Sequence, residues 1–421
     1  MRRSRPRVGI PVMPAICTAL ILCAVPESIE AQSPPSELQS GALTYSAAWE
    51  IASSRNLKLA AARRQRAARE AAIVTAGLRP NPDFTAEVSR DTPHEVIGVD
   101  WPLEIGGQRS RRLDLAKEEL LLSEVDVQTA LRALRRELRE AFYSLMFADE
   151  HVRLSQSLLD IARQLRDGAQ ARVDTGAAPR LEVLQADLAV ARADADVAAA
   201  VSLRRADQAR LNGILDWPPD RSVTLDGSLS DGVTEMTIDA ANSLARAQNP
   251  ELLGLDRQIA VEQRRIDLLK AERTPTPTVT VGGVFDAPGE FAAGWRAGVS
   301  VGLPLFNRNQ GEIAASIATS AQLRAERDAV ARTVENGVYA ALQTMTARND
   351  QLTTFQQRLI PTATELATLS DESYRSGRTA LFTVFEAQRS VRELSEEALQ
   401  AALDVQLAVA DLEDVIGAPL P

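Results

Sequence analysis

The chain is written twice. Val173-Asp174-Thr175-Gly176, running on to Val183-Leu184-Gln185-Ala186, returns as Tyr374-Arg375-Ser376-Gly377 and Val384-Phe385-Glu386-Ala387, without a gap, 201 residues later. Upstream, Thr44, Ala47, Ala48 and Asn56 recur as Thr237, Ala240, Ala241 and Asn249, and Trp101-Pro102-Leu103 with Gln108 recurs as Leu303-Pro304-Leu305 with Gln310. A unit of about 200 residues is too long for a solenoid repeat and reads as a duplicated domain that assembles with its copy. The halves span 32–216 and 237–421, joined by a linker at 217–236 that carries Pro218, Pro219, Gly227 and Gly232. Each half reads as helix, strand pair, long helix, tip and return helix. The last elements fall at 82–103, 108–167 and 179–215 in the first copy, and at 276–303, 310–370 and 379–416 in the second.

Seven-residue apolar series mark the long helices as coiled-coil partners. Leu113, Leu120, Val127, Leu134 and Ala141 form one series in the first copy, and Leu131, Leu138, Leu145, Val152 and Leu159 form another. The second copy has Ala331, Val338, Met345, Leu352 and Leu359 beside Val334, Ala341 and Phe355. Its return helix carries Val384, Val391, Ala398, Val405 and Leu412. A helix of about 60 residues is roughly 90 Å long, so each half predicts a long antiparallel hairpin. Alanine-rich seams bury little area per residue, and one hairpin alone would be poorly stabilised. The net charge of −10 and a sequence pI near 5.1 exclude nucleic acid as a partner, because phosphate neutralisation needs a basic face.

Residues 1–31 read as a signal peptide: Arg2, Arg3, Arg5 and Arg7 precede an apolar run at 8–25, and Ser28-Ile29-Glu30-Ala31 offers a cleavage site before Gln32. The alternative, a retained anchor, has 18 residues in that run, but Pro11 and Pro14 interrupt it. Cleavage removes four Arg and two Glu and takes the net charge from −10 to −12. Cys17 and Cys23 both leave with this segment, so no disulfide or thiolate metal site is expected, and Leu22 before Cys23 argues against lipid attachment there.

Between the first two helices of each half the period changes to two. Phe84, Ala86 and Val88, then Ile97, Val99, Trp101 and Leu103, alternate with small or polar residues; Val279, Val281 and Phe285, then Trp295, Ala297, Val299, Val301 and Leu303, do the same. Strands of about ten residues with flanking aromatics suit an outer-membrane barrel, with Trp101, Phe285 and Trp295 in the interfacial girdle. A soluble sheet packed on helices alternates as well. A membrane sheet cannot leave edges unpaired, and four strands are too few to close, so several chains must share one barrel. Two chains would supply eight strands and a filled lumen; three would supply twelve and leave a passage, which the inward Gly98, Gly282, Gly298 and Ser300 favour.

With duplicated halves, two strands per half, long hairpins and the tips Val173-Asp-Thr-Gly176 and Tyr374-Arg-Ser-Gly377, the chain resembles the TolC-like outer-membrane efflux family over nearly its whole length. Trp101-Pro-Leu-Glu-Ile-Gly-Gly-Gln-Arg109 and Leu303-Pro-Leu-Phe-Asn-Arg-Asn-Gln-Gly311 make it most similar to the CzcC-type components of heavy-metal exporters. The resemblance implies an α+β fold class: a duplicated TolC-like channel protomer, with long antiparallel coiled-coil hairpins and four transmembrane strands contributing to a shared trimeric β-barrel. It implies no enzymatic activity, a homotrimer in outer-membrane lipid, and the role of exit duct beside a periplasmic adaptor and an inner-membrane cation pump. Gly176 and Gly377 mark the tips that would meet the adaptor. The family's acidic rings at the periplasmic aperture match Thr383 and Glu386, of which only Glu386 is acidic, so a double ring is not expected. Glu182, the counterpart of Thr383 in the first copy, is expected at the same aperture. Tyr374 matches a family tyrosine that holds the tip closed, so a Tyr374 to Glu182 latch is expected; both carboxylates also fit plain solvated helix positions.

His94 and His151 lie in different elements, which disfavours a transition-metal site, and no phosphate-binding loop, nucleophile and base pair or cofactor motif is visible. Three function classes therefore stand at this point. They are an export channel, for heavy-metal cations or for drugs and other small molecules; a soluble periplasmic coiled-coil scaffold or adaptor; and an enzyme without visible machinery.

Overall fold

The computed structural model describes residues 42–229, 236–287 and 291–420; the expected signal peptide at 1–31, with both cysteines, and residues 230–235 of the linker lie outside them. In chain order the elements are α1 Tyr45–Arg55, α2 Leu57–Ala76, β1 Asp83–Val88, β2 Glu95–Pro102, α3 Gln108–Asp174, α4 Arg180–Ile214, α5 Ile238–Gln248, α6 Pro250–Ala271, β3 Pro277–Ala287, β4 Phe291–Val301, α7 Gln310–Thr354, α8 Ile360–Arg375 and α9 Leu381–Ile416.

The opening helix of each half is two helices. Thr44 accepts from the Ala47 N–H and Thr237 from the Ala240 N–H, so both copies begin on a threonine N-cap. After eleven helical residues the helix breaks at Asn56 and Asn249, each of which caps the next helix. Asn249 is buried. It accepts from the Glu251 and Leu252 N–H groups and donates to the Val415 carbonyl at 2.7 Å, pinning α6 to the end of α9. Gly417 lies against this corner: a Cβ there would stand 2.7 Å from the Gln248 carbonyl oxygen.

α3 runs 67 residues, about 100 Å, seven residues beyond the expected end at 167. Leu134, Leu138, Ala141, Leu145 and Leu159 of its two apolar series are buried. It packs along α4, its antiparallel return, and also against α2, α6 and α9, which brings the two copies together. The second hairpin departs from its expected single helix at 310–370. A five-residue π turn, Phe355–Leu359, separates α7 from α8, which runs on to Arg375. Its cause is Pro361, which has no N–H for the helical ladder and crowds the preceding turn. The extra residue shifts the apolar face by one: Leu359, which continues the Leu352 series, is exposed, and Ile360 takes its place against the core. The linker is folded chain as far as it is described. Val223 and Leu229 are buried in the core, and Leu43 and Leu225 form a parallel bridge.

The four strands form one antiparallel sheet in the order β1-β2-β3-β4, so the two copies meet at the β2–β3 ladder. Across it Val99 faces Val281 and Trp101 faces Val279, and across the next Val281 faces Ala297. One face therefore collects Phe84, Val88, Ile97, Val99, Trp101, Val281, Phe285, Trp295 and Val299, all exposed. The opposite face carries Asp100, which accepts from Thr280, together with Gly98, Gly282 and Ser300. β3 and β4 have 11 residues each, but β1 has six and β2 eight, shorter than the ten expected. The β1–β2 pairing stops at Val88 and Glu95, where Ser89 to His94 turn the chain. Tilted near 45°, the longer strands span about 25 Å, the height of a transmembrane barrel's apolar band. No described helix is long and apolar enough to cross a membrane.

The two asparagine corners differ in one measurable way. Asn56→Ala removes a cap alone, at about 1 kcal/mol, whereas Asn249→Ala also strands the Val415 carbonyl and is expected to cost about 2 to 3 kcal/mol. Denaturant midpoints of the two purified variants check this order.

Candidate functional site at the helical tip

Two turns with the same hydrogen bonds close the far end of the hairpins. After α3, Gly176 takes φ +73°, and after α8, Gly377 takes φ +74°. At the first turn the Ala177 N–H donates to the Arg172 carbonyl at 2.8 Å and the Gly176 N–H to the Val173 carbonyl at 2.9 Å. At the second, Arg378 donates to Ser373 and Gly377 to Tyr374, both at 2.9 Å. These are Schellman closures, and the left-handed residue in them costs an L side chain about 1 to 2 kcal/mol. Nothing lies within 4 Å of a Cβ built at either glycine, so conformation rather than space selects it.

Between the turns sits an apolar plug of Ala169 from α3, Ala186 from α4, Tyr374 from α8 and Leu381 and Val384 from α9. Tyr374 is 4% exposed. Its hydroxyl donates to Glu182 Oε2 at 3.0 Å. The Arg172 guanidinium lies 4.4 Å from the centre of its ring and donates to its carbonyl at 3.1 Å. Burial, then the hydrogen bond to Glu182, pushes the Tyr374 pKa up to about 12. The phenol is therefore a donor throughout the ordinary pH range. Glu182 lies in the first turn of α4, where the positive helix end favours a carboxylate.

Of the sequence-selected residues, the fold brings Tyr374 and Glu182 into contact and leaves Thr383 and Glu386 apart from them. Both of these are exposed on α9, three residues apart and so on one face. Arg389, one turn on, donates to Glu393 at 2.8 Å and is also held charged by the nearby Glu386, which itself makes no salt bridge among the described residues. Beside the plug opens a cleft of about 350 Å³, walled by Leu188, Phe382 and Phe385 and rimmed by Glu386 and Arg392. Sequence reasoning missed Arg172. No sequence signal singles it out, because its mismatch with Ser373 is shared by every neighbouring position of the turn except the glycine.

Among the described residues no group of three or more His, Cys, Asp or Glu is placed to hold a metal ion. His94 lies 3.3 Å from Asp286 at the loop end of the sheet, and His151 stacks on Phe147.

The family model described as "Outer membrane efflux protein" matches residues 49–215 and again 241–418. The chain belongs to this family. Among curated relatives it is 25% identical to the cobalt-zinc-cadmium resistance protein CzcC of Cupriavidus metallidurans, over 83% of this chain and 84% of that one. It is 26% identical to the nickel-cobalt-cadmium resistance protein NccC of Alcaligenes xylosoxydans xylosoxydans, over 75% and 71%. It is 23% identical to the pyoverdine export outer membrane protein OpmQ of Pseudomonas putida, over 86% and 83%. Among solved structures, CusC shares the fold at a TM-score of 0.75 and 14% identity, covering 89% of this chain and 92% of that one. The chain is thus an outer-membrane efflux channel protein with a periplasmic extension, in a TolC-like fold that is mostly helical with a small sheet. Its family comprises transport channels, and the enzyme and soluble-scaffold readings give way to that.

Removing either partner of the Tyr374–Glu182 bond is expected to loosen the tip alone. Hydrogen exchange at 172–186 and 374–387 should quicken about tenfold in Tyr374→Phe and Glu182→Ala, as loss of roughly 1.4 kcal/mol requires, while amides around Leu138 keep their protection. The raised phenol pKa fixes the sign with pH: the bond's contribution is complete below pH 10, the ordinary tyrosine value, and is lost as pH rises through about 12.

Proposed function

We propose that three copies of this chain form the exit duct of a tripartite efflux pump that moves divalent heavy-metal cations out of the cell. The observation that carries the assembly is the sheet. It has one exposed apolar face, two unpaired edges in β1 and β4, and a polar, glycine-containing opposite face. Three such sheets close a twelve-stranded barrel whose apolar face meets lipid and whose lumen stays wide enough for a passage. Below it, six hairpins surround one axis. The exposed Leu181, Leu184 and Leu188 on α4 and Phe382 on α9 then lie where neighbouring hairpins meet.

The tips at Gly176 and Gly377 are the surfaces offered to a periplasmic adaptor, which couples the duct to an inner-membrane cation pump. Tyr374 and Glu182 act as a latch within each chain. Glu386, with Thr383 on the same face, lines the constriction, and three carboxylates there draw cations and repel anions. The metal reading draws support from the names of the CzcC and NccC relatives. The OpmQ name favours a second reading, the same duct serving a small organic molecule.

Growth of a deletion strain separates the two cargoes. Sensitisation to cobalt, zinc, cadmium or nickel alone is expected; sensitisation to lipophilic drugs and detergents alone overturns the metal assignment and leaves the duct. In planar bilayers, Glu386→Ala is expected to lower the cation-to-anion permeability ratio about twofold or more, and an unchanged ratio removes Glu386 from the pore.

A further inference from the structure

Where the sheet gives way to helices, the surface changes character. The C-terminal ends of α2 and α6 and the N-terminal ends of α3 and α7 reach the sheet at the same side, because β1 and β3 begin there and β2 and β4 end there. Leu78, Ile105, Leu303 and Leu305 are each at least 60% exposed at this level, and Phe306 is 92% exposed. Next to this apolar tier stands a basic one. The segments 76–82, 103–112, 270–276 and 303–311 carry seven Arg and Lys against two Glu, in a chain whose totals are 47 basic and 57 acidic residues. Arg79 and Arg273 each stand four residues before a strand. Arg79, Arg109, Arg273 and Arg308 are exposed and have no carboxylate partner among the described residues.

The tier is held in place by hydrogen bonds. Arg109 donates to the Gly77 carbonyl, Arg273 donates to the Arg308 carbonyl at 2.9 Å, and Arg308 donates to the Pro304 carbonyl at 3.2 Å. Gln108 accepts from the Gly106 N–H and donates to Thr274, and Gln310 accepts from the Arg308 N–H in the second copy. Each arginine above uses only its Nε in these bonds, which leaves the two terminal nitrogens of the guanidinium for an outside acceptor.

We propose that this collar binds the phosphates of glycerophospholipids in the leaflet that faces the helices, with Phe306 and the neighbouring leucines seated among the acyl chains. The inference rests on the reading of the sheet as a membrane barrel and adds a lipid preference to it. Guanidinium groups match phosphate oxygens two at a time, and aromatic and basic residues at a membrane boundary anchor its depth. The acidic remainder of the chain does not share this chemistry, so the collar is where an anionic lipid is drawn.

The test uses the full chain purified in mild detergent, with bound lipid counted by native mass spectrometry against phosphatidylglycerol, phosphatidylcholine or inorganic phosphate. Preferential retention of phosphatidylglycerol is expected, falling about fivefold for each arginine removed in Arg79→Gln and Arg79→Gln/Arg308→Gln, with recovery in the Lys variants. Arg79 makes no hydrogen bond or ion pair within the described protein, so its single variant leaves the fold intact. Equal retention of both lipids, a preference untouched by the substitutions, or protection by inorganic phosphate as strong as by lipid overturns the collar. Insertion into vesicles of either lipid without preference leaves the barrel standing, whereas failure to enter any vesicle brings down the barrel and the collar together.

Discussion

The pairing of β2 with β3 is the constraint on which the rest depends. A two-stranded ribbon is marginal alone, and each copy of the repeat holds only one. Joining them in the register that sets Val99 against Val281 aligns most of the apolar residues of four strands on one face, with the buried Val96–Val284 pair on the other, and a slip by one residue would turn half of them over. The same pairing brings the strand ends of both copies to one side, so that α2, α3, α6 and α7 leave the sheet together and pack on one another. It also leaves β1 and β4 as open edges, so the fold that satisfies the two copies internally still asks for further chains.

The letters that recur between the copies are the ones the backbone needs. Thr44 and Thr237, and Asn56 and Asn249, are caps; Gln108 and Gln310 hold the turn from strand to helix; Gly176 and Gly377 are left-handed. The apolar seams between them drift freely, because any side chain of suitable volume serves there. That is why duplication, hairpins and tips were legible in the sequence. Period counting misses what a single residue does to a ladder. Pro361 moved the buried face from Leu359 to Ile360, and the asparagine breaks divided what read as one helix. The basic collar escaped notice because its arginines come from four segments, none of which is unusual alone.

The tip shows what duplication permits. At the positions that matter there the copies have diverged: Arg172 and Glu182 in the first face Ser373 and Thr383 in the second, and Val173 faces Tyr374. The acid and the cation come from one copy and the phenol from the other, so the contact forms only where α4 and α3 of the first half meet α8 of the second. In the proposed ring of six hairpins this seam lies within each chain. The equivalent seam between neighbouring chains pairs Thr383 with Val173, which offers no charge, no aromatic face and no strong acceptor. On that proposal three firm seams would alternate with three weak ones around the axis, and an adaptor that opened the duct would meet least resistance between chains. An undiverged repeat would make all six seams alike. In the proposed ring the asymmetry between seams would therefore reside in Arg172, Glu182 and Tyr374, within turns that share only their glycine.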